Sequence, residues 1–193
     1  GYQEGVHKER RLMLDQARLL QQPPDVELLH KGDTIPATIG PILKASGWRG
    51  GLFVSYVSGS QDFIVEQSDG NSACGFILLQ SEDYQDPPGS PENYTSYQYK
   101  NPLSPSVLTV VFGNARAYFK IFETEALNAG VRNGGPITYV LNQDLKVSEN
   151  GLLCNDSDVE LGLAGVTAPV VVGIVSAVPA TRNDNRLGCD LRF

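Results

Sequence analysis

Residues 51–80, GLFVSYVSGSQDFIVEQSDGNSACGFILLQ, decide the fold class. They break into three short segments, GLFVSYVSG, DFIVEQ and CGFILLQ, dense in β-branched and aromatic residues and punctuated by glycine and by Asp69-Gly70, a hairpin-type turn signal. Segments this short, bounded by turn residues, read as strands, and three in succession read as a β meander. Further along, the same pattern returns in VLTVVFG (107–113), ARAYFKIF (115–122), GGPITYVLN (134–142), LKVSENGLLC (145–154) with a turn at Asn150-Gly151, VVVGIVSAV (170–178) and LGCDLRF (187–193). In ARAYFKIF, Ala115, Ala117, Phe119 and Ile121 alternate with Arg116, Tyr118, Lys120 and Phe122. In the last segment Leu187, Cys189, Leu191 and Phe193 point one way, and Asp190 and Arg192 the other. This period of two is that of a strand with one buried face. The expectation is a mainly β body with many turns, in keeping with the 20 Gly and 12 Pro of the 193-residue chain.

Residues 1–48 read differently and are expected to form an N-terminal arm, with the β-rich body at 49–193. Residues 4–22 have the composition of a helix, stopped by Pro23 and Pro24. On helical spacing Val6, Met13, Ala17 and Leu20 share one face, flanked by Leu12 and Leu19. The following PPDVELLHKGDTIPATIGPILKASGW holds no sustained period and is expected to run extended over a partner. The partner-binding residues expected on the arm are Arg10, Arg11, Leu12, Met13, Leu19, Leu20, Leu28, Leu29, Ile35, Ile39 and Trp48. The competing expectation for the helix is that it packs back onto its own domain. A long exposed loop, rich in Pro, Ser and Tyr, is expected at 81–106.

Charge and composition narrow the function classes. The net charge is −7. Residues 1–48 carry six basic residues (Lys8, Arg10, Arg11, Arg18, Lys31, Lys44) and six acidic ones (Glu4, Glu9, Asp15, Asp25, Glu27, Asp33), so the surplus lies in the body. An acidic body repels a phosphate backbone, and nucleic-acid binding is not expected. The longest apolar run, Ala168 to Val175, is interrupted by Pro169 and Gly173 and falls far short of the roughly 20 residues a bilayer requires, so no membrane span is expected. Cys74, Cys154 and Cys189 lack metal-ligand spacing and read as buried free thiols. The only two histidines, His7 and His30, lie in the arm, away from the body where a catalytic pocket would form. The alternating carboxylates Asp156, Asp158 and Glu160 lack the glycine and terminal Glu of a calcium loop and read as solvated. The expectation is a non-enzymatic protein with no cofactor and no metal.

The order of VVFGNARAYFKIFE (110–123), GGPITYVLNQDLKVSENGLLC (134–154) and VVVGIVSAVPATRNDNRLGCDLRF (170–193) resembles that of tailed-bacteriophage head decoration (capsid cement) proteins. The resemblance implies an antiparallel β-sandwich or barrel body, β-tulip-like, on the capsid exterior, with an arm across neighbouring major capsid protein subunits. It also implies a homo-oligomer, trimer or dimer, made in the bacterial host cytoplasm. Two other readings compete: a carbohydrate-binding or adhesin-type β-sandwich, suggested by Tyr84, Tyr94, Tyr97, Tyr99 and Trp48, and an esterase- or lyase-like enzyme on a β scaffold.

Overall fold

The computed structural model describes residues 26–30, 33–46, 50–59, 63–78, 107–156 and 169–193. Among these residues thirteen strands and one short α-helix follow in order, with a 3-10 turn at Thr181–Asn183: β1 (Val26–His30), β2 (Asp33–Ile39), α1 (Pro41–Ser46), β3 (Phe53–Tyr56), β4 (Ile64–Gln67), β5 (Gly75–Ile77), β6 (Val107–Phe112), β7 (Ala115–Phe119), β8 (Glu125–Asn128), β9 (Val131–Pro136), β10 (Asp144–Val147), β11 (Leu153–Cys154), β12 (Val171–Ala177) and β13 (Leu187–Leu191). The fold is mainly β, as the sequence pattern requires. Strands β2-β4-β3-β5-β6 close a barrel, β1-β7-β13-β12-β10-β11 form a six-stranded sheet, and β8 and β9 make a separate hairpin. Every pairing is antiparallel except that of β2 with β4.

Two cores hold the body, and three barrel strands are buried on both faces. Phe53, Phe76 and Val111 point out of the barrel into the larger core, against Val26, Ala117, Phe119, Leu145, Val172 and Leu187 of the sheet. Their neighbours Val54, Ile77 and Val110 point into the barrel with Ala37, Ile39, Val65 and Leu108. This double burial explains why GLFV, GFILL and VLTVVF read as continuous apolar runs, whereas β7 alternates. At the junction the rings of Phe53, Phe76 and Phe119 meet with centroids 5.0 to 5.9 Å apart. Each fully buried ring contributes about 1.5–3 kcal/mol over its exposed state. Helix α1 inserts Leu43 into the barrel core, and the Glu66 carboxylate accepts hydrogen bonds from the Ile42 and Leu43 N–H groups at 3.0 and 2.6 Å, capping its first turn.

The structure corrects the expected boundary at residue 48. Val26–His30 and Asp33–Ile39 already belong to the body: β1 pairs with β7, with Val26 opposite Phe119, and β2 pairs with β6 from Asp33–Phe112 to Thr38–Val107. Val26–His30 and Asp33–Ile39 are extended, as expected, but their partner is their own domain, and Pro41–Ser46, expected to be extended too, is helix α1. The prolines fit these places because Pro36 lies within β2 and Pro41 opens α1, at the first helical position. The helix expected at 4–22 and the loop expected at 81–106 lie outside the described residues.

Turn chemistry also resolves unevenly. Asn150-Gly151 joins β10 to β11 as an antiparallel hairpin, with Gly151 at φ 70°. Asp69-Gly70, by contrast, does not join paired strands, because β4 and β5 lie on opposite sides of β3. Here the Asp69 side chain accepts the Asn71 N–H at 2.9 Å and turns the chain across the end of the barrel strands. GGPITYVLN is strand only to Pro136, after which Tyr139 turns inward and its hydroxyl donates to the Glu123 carbonyl at 2.6 Å.

Candidate interaction surfaces

Strand alternation places a polar cluster on the outer face of the six-stranded sheet. Because Ala115, Ala117, Cys189 and Leu191 are buried, Arg116 and Asp190 face outward, and the antiparallel register sets them directly opposite each other. The pair is bidentate: Arg116 donates from Nε to Oδ1 at 2.5 Å and from Nη2 to Oδ2 at 2.8 Å. The Arg116 hydrogen bond holds the Asp190 carboxyl below its ordinary range, and the nearby Arg192 charge adds to this. Arg116, Asp190 and Arg192 line an open hollow of about 560 Å³, together with His30, Asn114 and the exposed Leu29. On the same face Arg186 stacks 5.4 Å from the centroid of the Tyr118 ring and pairs with Glu27 at 2.5 Å.

A second cluster fastens the β8–β9 hairpin to the body. Arg132, on β9, donates to Glu149 from Nε at 3.0 Å and Nη2 at 3.2 Å, and to Asp156 from Nη1 at 2.5 Å, with Glu123 at 4.0 Å. Asp156 in turn accepts the Leu127 N–H of β8 at 2.9 Å. The buried Glu123 accepts the Ser148 hydroxyl at 2.7 Å and the Asn150 side-chain amide at 2.9 Å. Burial opposes the Arg132 charge, but the hydrogen bonds to Glu149 and Asp156 outweigh it and raise its pKa further. The arrangement is a network in which the Arg132 guanidinium and the surrounding carboxylates are hydrogen-bonded to one another and to the hairpin backbone.

Exposed apolar side chains mark two further places. On the barrel, Tyr56 and Phe63 stand 48% and 58% exposed with ring centroids 6.1 Å apart, flanked by Val57, and Ile42 projects from α1. Elsewhere Val131, at the tip of the β8–β9 hairpin, and Val140 and Leu141, before β10, are also exposed.

Of the residues expected to bind a partner, Ile39 is buried in the barrel core, and Ile35 and Leu28 are half-buried against the two cores. For Ile39 the expectation is corrected, because its side chain is spent on the barrel's own core; Leu28 and Ile35 pack against the cores with part of their surface left open. Leu29 is exposed, at 48%. Arg10, Arg11, Leu12, Met13, Leu19, Leu20 and Trp48 lie outside the described residues. Sequence reasoning passed over Arg116, Asp190 and Arg192, although their alternation with buried neighbours already placed them outward.

Cys154 and Cys189 are buried and Cys74 is half-buried, with burial pushing Cys74 to about 11 and Cys154 to about 12. Among the described residues no group of His, Cys, Asp and Glu is placed to hold a metal ion, and no helix is long and apolar enough to cross a membrane. The sequence matches no known family model, and no curated protein matches it.

Proposed function

We propose that this chain is a virion structural protein that decorates and stabilises a phage capsid by bridging major capsid protein subunits. The observation that carries the reading is the distribution of exposed apolar side chains over two separate parts of one doubly cored body. Tyr56, Val57 and Phe63 stand on the barrel, Val131 on the β8–β9 hairpin, and Val140 and Leu141 on the segment leading into β10. A molecule that spans a seam needs two contact areas held at a fixed separation, and the shared aromatic core supplies that rigidity. Repetition of weak contacts over a lattice multiplies their effect.

The test is co-sedimentation of the purified protein with expanded capsids, with the variants Phe63→Ser and Val140→Ser. Saturable binding weakened by both substitutions supports the proposal, and no binding to capsids refutes it. The exposed Tyr56–Phe63 ring pair also suits stacking against a sugar, the basis of a carbohydrate-binding reading. A glycan array that finds no ligand removes that alternative.

A further inference from the structure

The chain contains two Asn-Gly pairs, Asn133-Gly134 and Asn150-Gly151, and the fold holds them in opposite ways. In an Asn-Gly pair the backbone nitrogen of the glycine can approach the asparagine side-chain carbonyl carbon with little hindrance, because glycine has no Cβ to obstruct it. Reaction between the two depends on how firmly side chain and backbone are fixed.

At Asn150 both are fixed. The side-chain amide donates to Glu123 Oε1 at 2.9 Å and to Glu149 Oε1 at 3.3 Å, and the Asn150 N–H donates to the Ser148 hydroxyl at 3.1 Å. The Gly151 N–H donates to the Ser148 carbonyl at 3.0 Å, and Gly151 itself is buried, with Gln67 and the Phe53 carbonyl close around it. Bringing the Asn150 carbonyl carbon onto the Gly151 nitrogen breaks these hydrogen bonds and leaves the buried Glu123 short of a donor.

At Asn133 the constraints are absent. Asn133 and Gly134 are exposed, and the Asn133 side-chain amide makes no hydrogen bond to any described residue. The β8–β9 ladder is out of step here: Glu125 faces Pro136 and Leu127 faces Arg132, so Ala126 alone stands opposite Asn133, Gly134 and Gly135. Three residues against one cannot keep regular pairing. Gly135 follows at φ 95°, so two successive residues without a side chain give the backbone room to turn. A Cβ on Gly134 would lie 2.9 Å from the Ala126 carbonyl oxygen, so the hairpin itself requires glycine after Asn133.

We propose that Asn133 is a site of self-modification, deamidating by attack of the Gly134 backbone nitrogen, while the fold keeps Asn150 intact. The Gly134 nitrogen gives up its proton to solvent base and forms a bond to Cγ of Asn133. The Cγ–Nδ2 bond breaks and ammonia leaves, closing a five-membered succinimide ring. Water then opens the ring at one of its two carbonyls, giving aspartate or isoaspartate at 133, with no oxidant or reductant consumed. Either product adds a negative charge next to Arg132, the residue that fastens the hairpin to Glu149 and Asp156. Isoaspartate also inserts an extra carbon into the backbone of β9, so the hairpin loosens as the protein ages.

The experiment incubates the full chain at about pH 8 and about 37 °C and maps its peptides by mass spectrometry at intervals, reading the exchange of NH2 for OH at each asparagine. Conversion at Asn133 is expected to run about tenfold or more faster than at Asn150. In urea, where neither side chain is held, the two rates are expected to converge to within about threefold. A ratio below about tenfold in the native protein overturns the proposal. A ratio that persists in urea overturns it as well, because the difference then comes from flanking residues and not from the fold. Hydrogen exchange at the Leu127 amide is expected to quicken in the aged protein and to stay unchanged in Asn133→Gln aged beside it; equal exchange in the two refutes the loosening of the hairpin.

Discussion

Replacing Arg132 by Met tests the network that fastens the β8–β9 hairpin. The guanidinium is 11% exposed and is ringed by Glu123, Glu149 and Asp156, whose side chains are 10%, 31% and 17% exposed. Methionine fills much of the volume but leaves three carboxylates facing one another without their cation. Removing one partner from a buried ion pair costs about 3–5 kcal/mol. Glu149 is near enough to the surface to turn into water and recover part of this, so we expect a loss of roughly 2–4 kcal/mol. For a chain of this size that lowers the thermal midpoint by roughly 5–15 °C. Urea unfolding at pH 7 measures the loss, and hydrogen exchange at the Leu127 amide, whose acceptor is Asp156, reports whether the hairpin loosens. Neutralising the partners as well, with Glu149→Gln and Asp156→Asn on the Arg132→Met background, is expected to restore at least half of the stability. A single variant within about 0.5 kcal/mol of the wild type, or no recovery on neutralisation, refutes the reasoning.

Other outcomes follow from the same structure. Gly173 on β12 sits so close to the Asp190 carbonyl on β13 that a methyl group has no room; Gly173→Ala is expected to cost about 2–4 kcal/mol in chemical denaturation. With the Cys74 and Cys154 thiols raised to about 11 and 12 and Cys189 also raised by burial, iodoacetamide is expected to label the native protein slowly at pH 8 and all three thiols after unfolding. Asp190 and Asp69 have folded pKa values below their unfolded ones, lowered by Arg116 and by the Asn71 N–H respectively. The stability they contribute is complete above about pH 4 and is lost as pH falls through the folded values. Thermal midpoints measured between about pH 5 and 2.5 should therefore fall less in Asp190→Asn than in the wild type.

Much of the body was legible because strand periodicity is local. The alternation in ARAYFKIF named Ala117 and Phe119 as inward and Arg116 as outward, and LGCDLRF did the same for Cys189 and Asp190. Legibility stopped where an assignment depended on pairing between distant segments. Residues 26–39 hold few turn signals and no clean period, and what makes them strands is register with Phe119 and Phe112, residues far along the chain. The Arg116–Asp190 pair spans 74 positions, and neither residue carries a local mark of the other. Asp69-Gly70 misled for a related reason: the turn chemistry was correct, but β2 had taken the place beside β4 that the next strand would have filled.

The position of β13 has a consequence for assembly. Residues 187–191 follow every other described strand in sequence, yet they lie in the interior of the six-stranded sheet, between β7 and β12. As the chain leaves the ribosome, β7 and β12 are thus two facing margins of an empty slot, and the sheet cannot zip up progressively behind the moving chain. Closure waits for the last of its strands. Translation stopped short of Leu187 leaves a groove with hydrogen-bonding groups on both sides and the apolar seats of Leu187, Cys189 and Leu191 vacant. A separate peptide of that sequence is the natural wedge for it, and two fragments cut before β13 are expected to be incomplete apart and to restore the sheet when mixed.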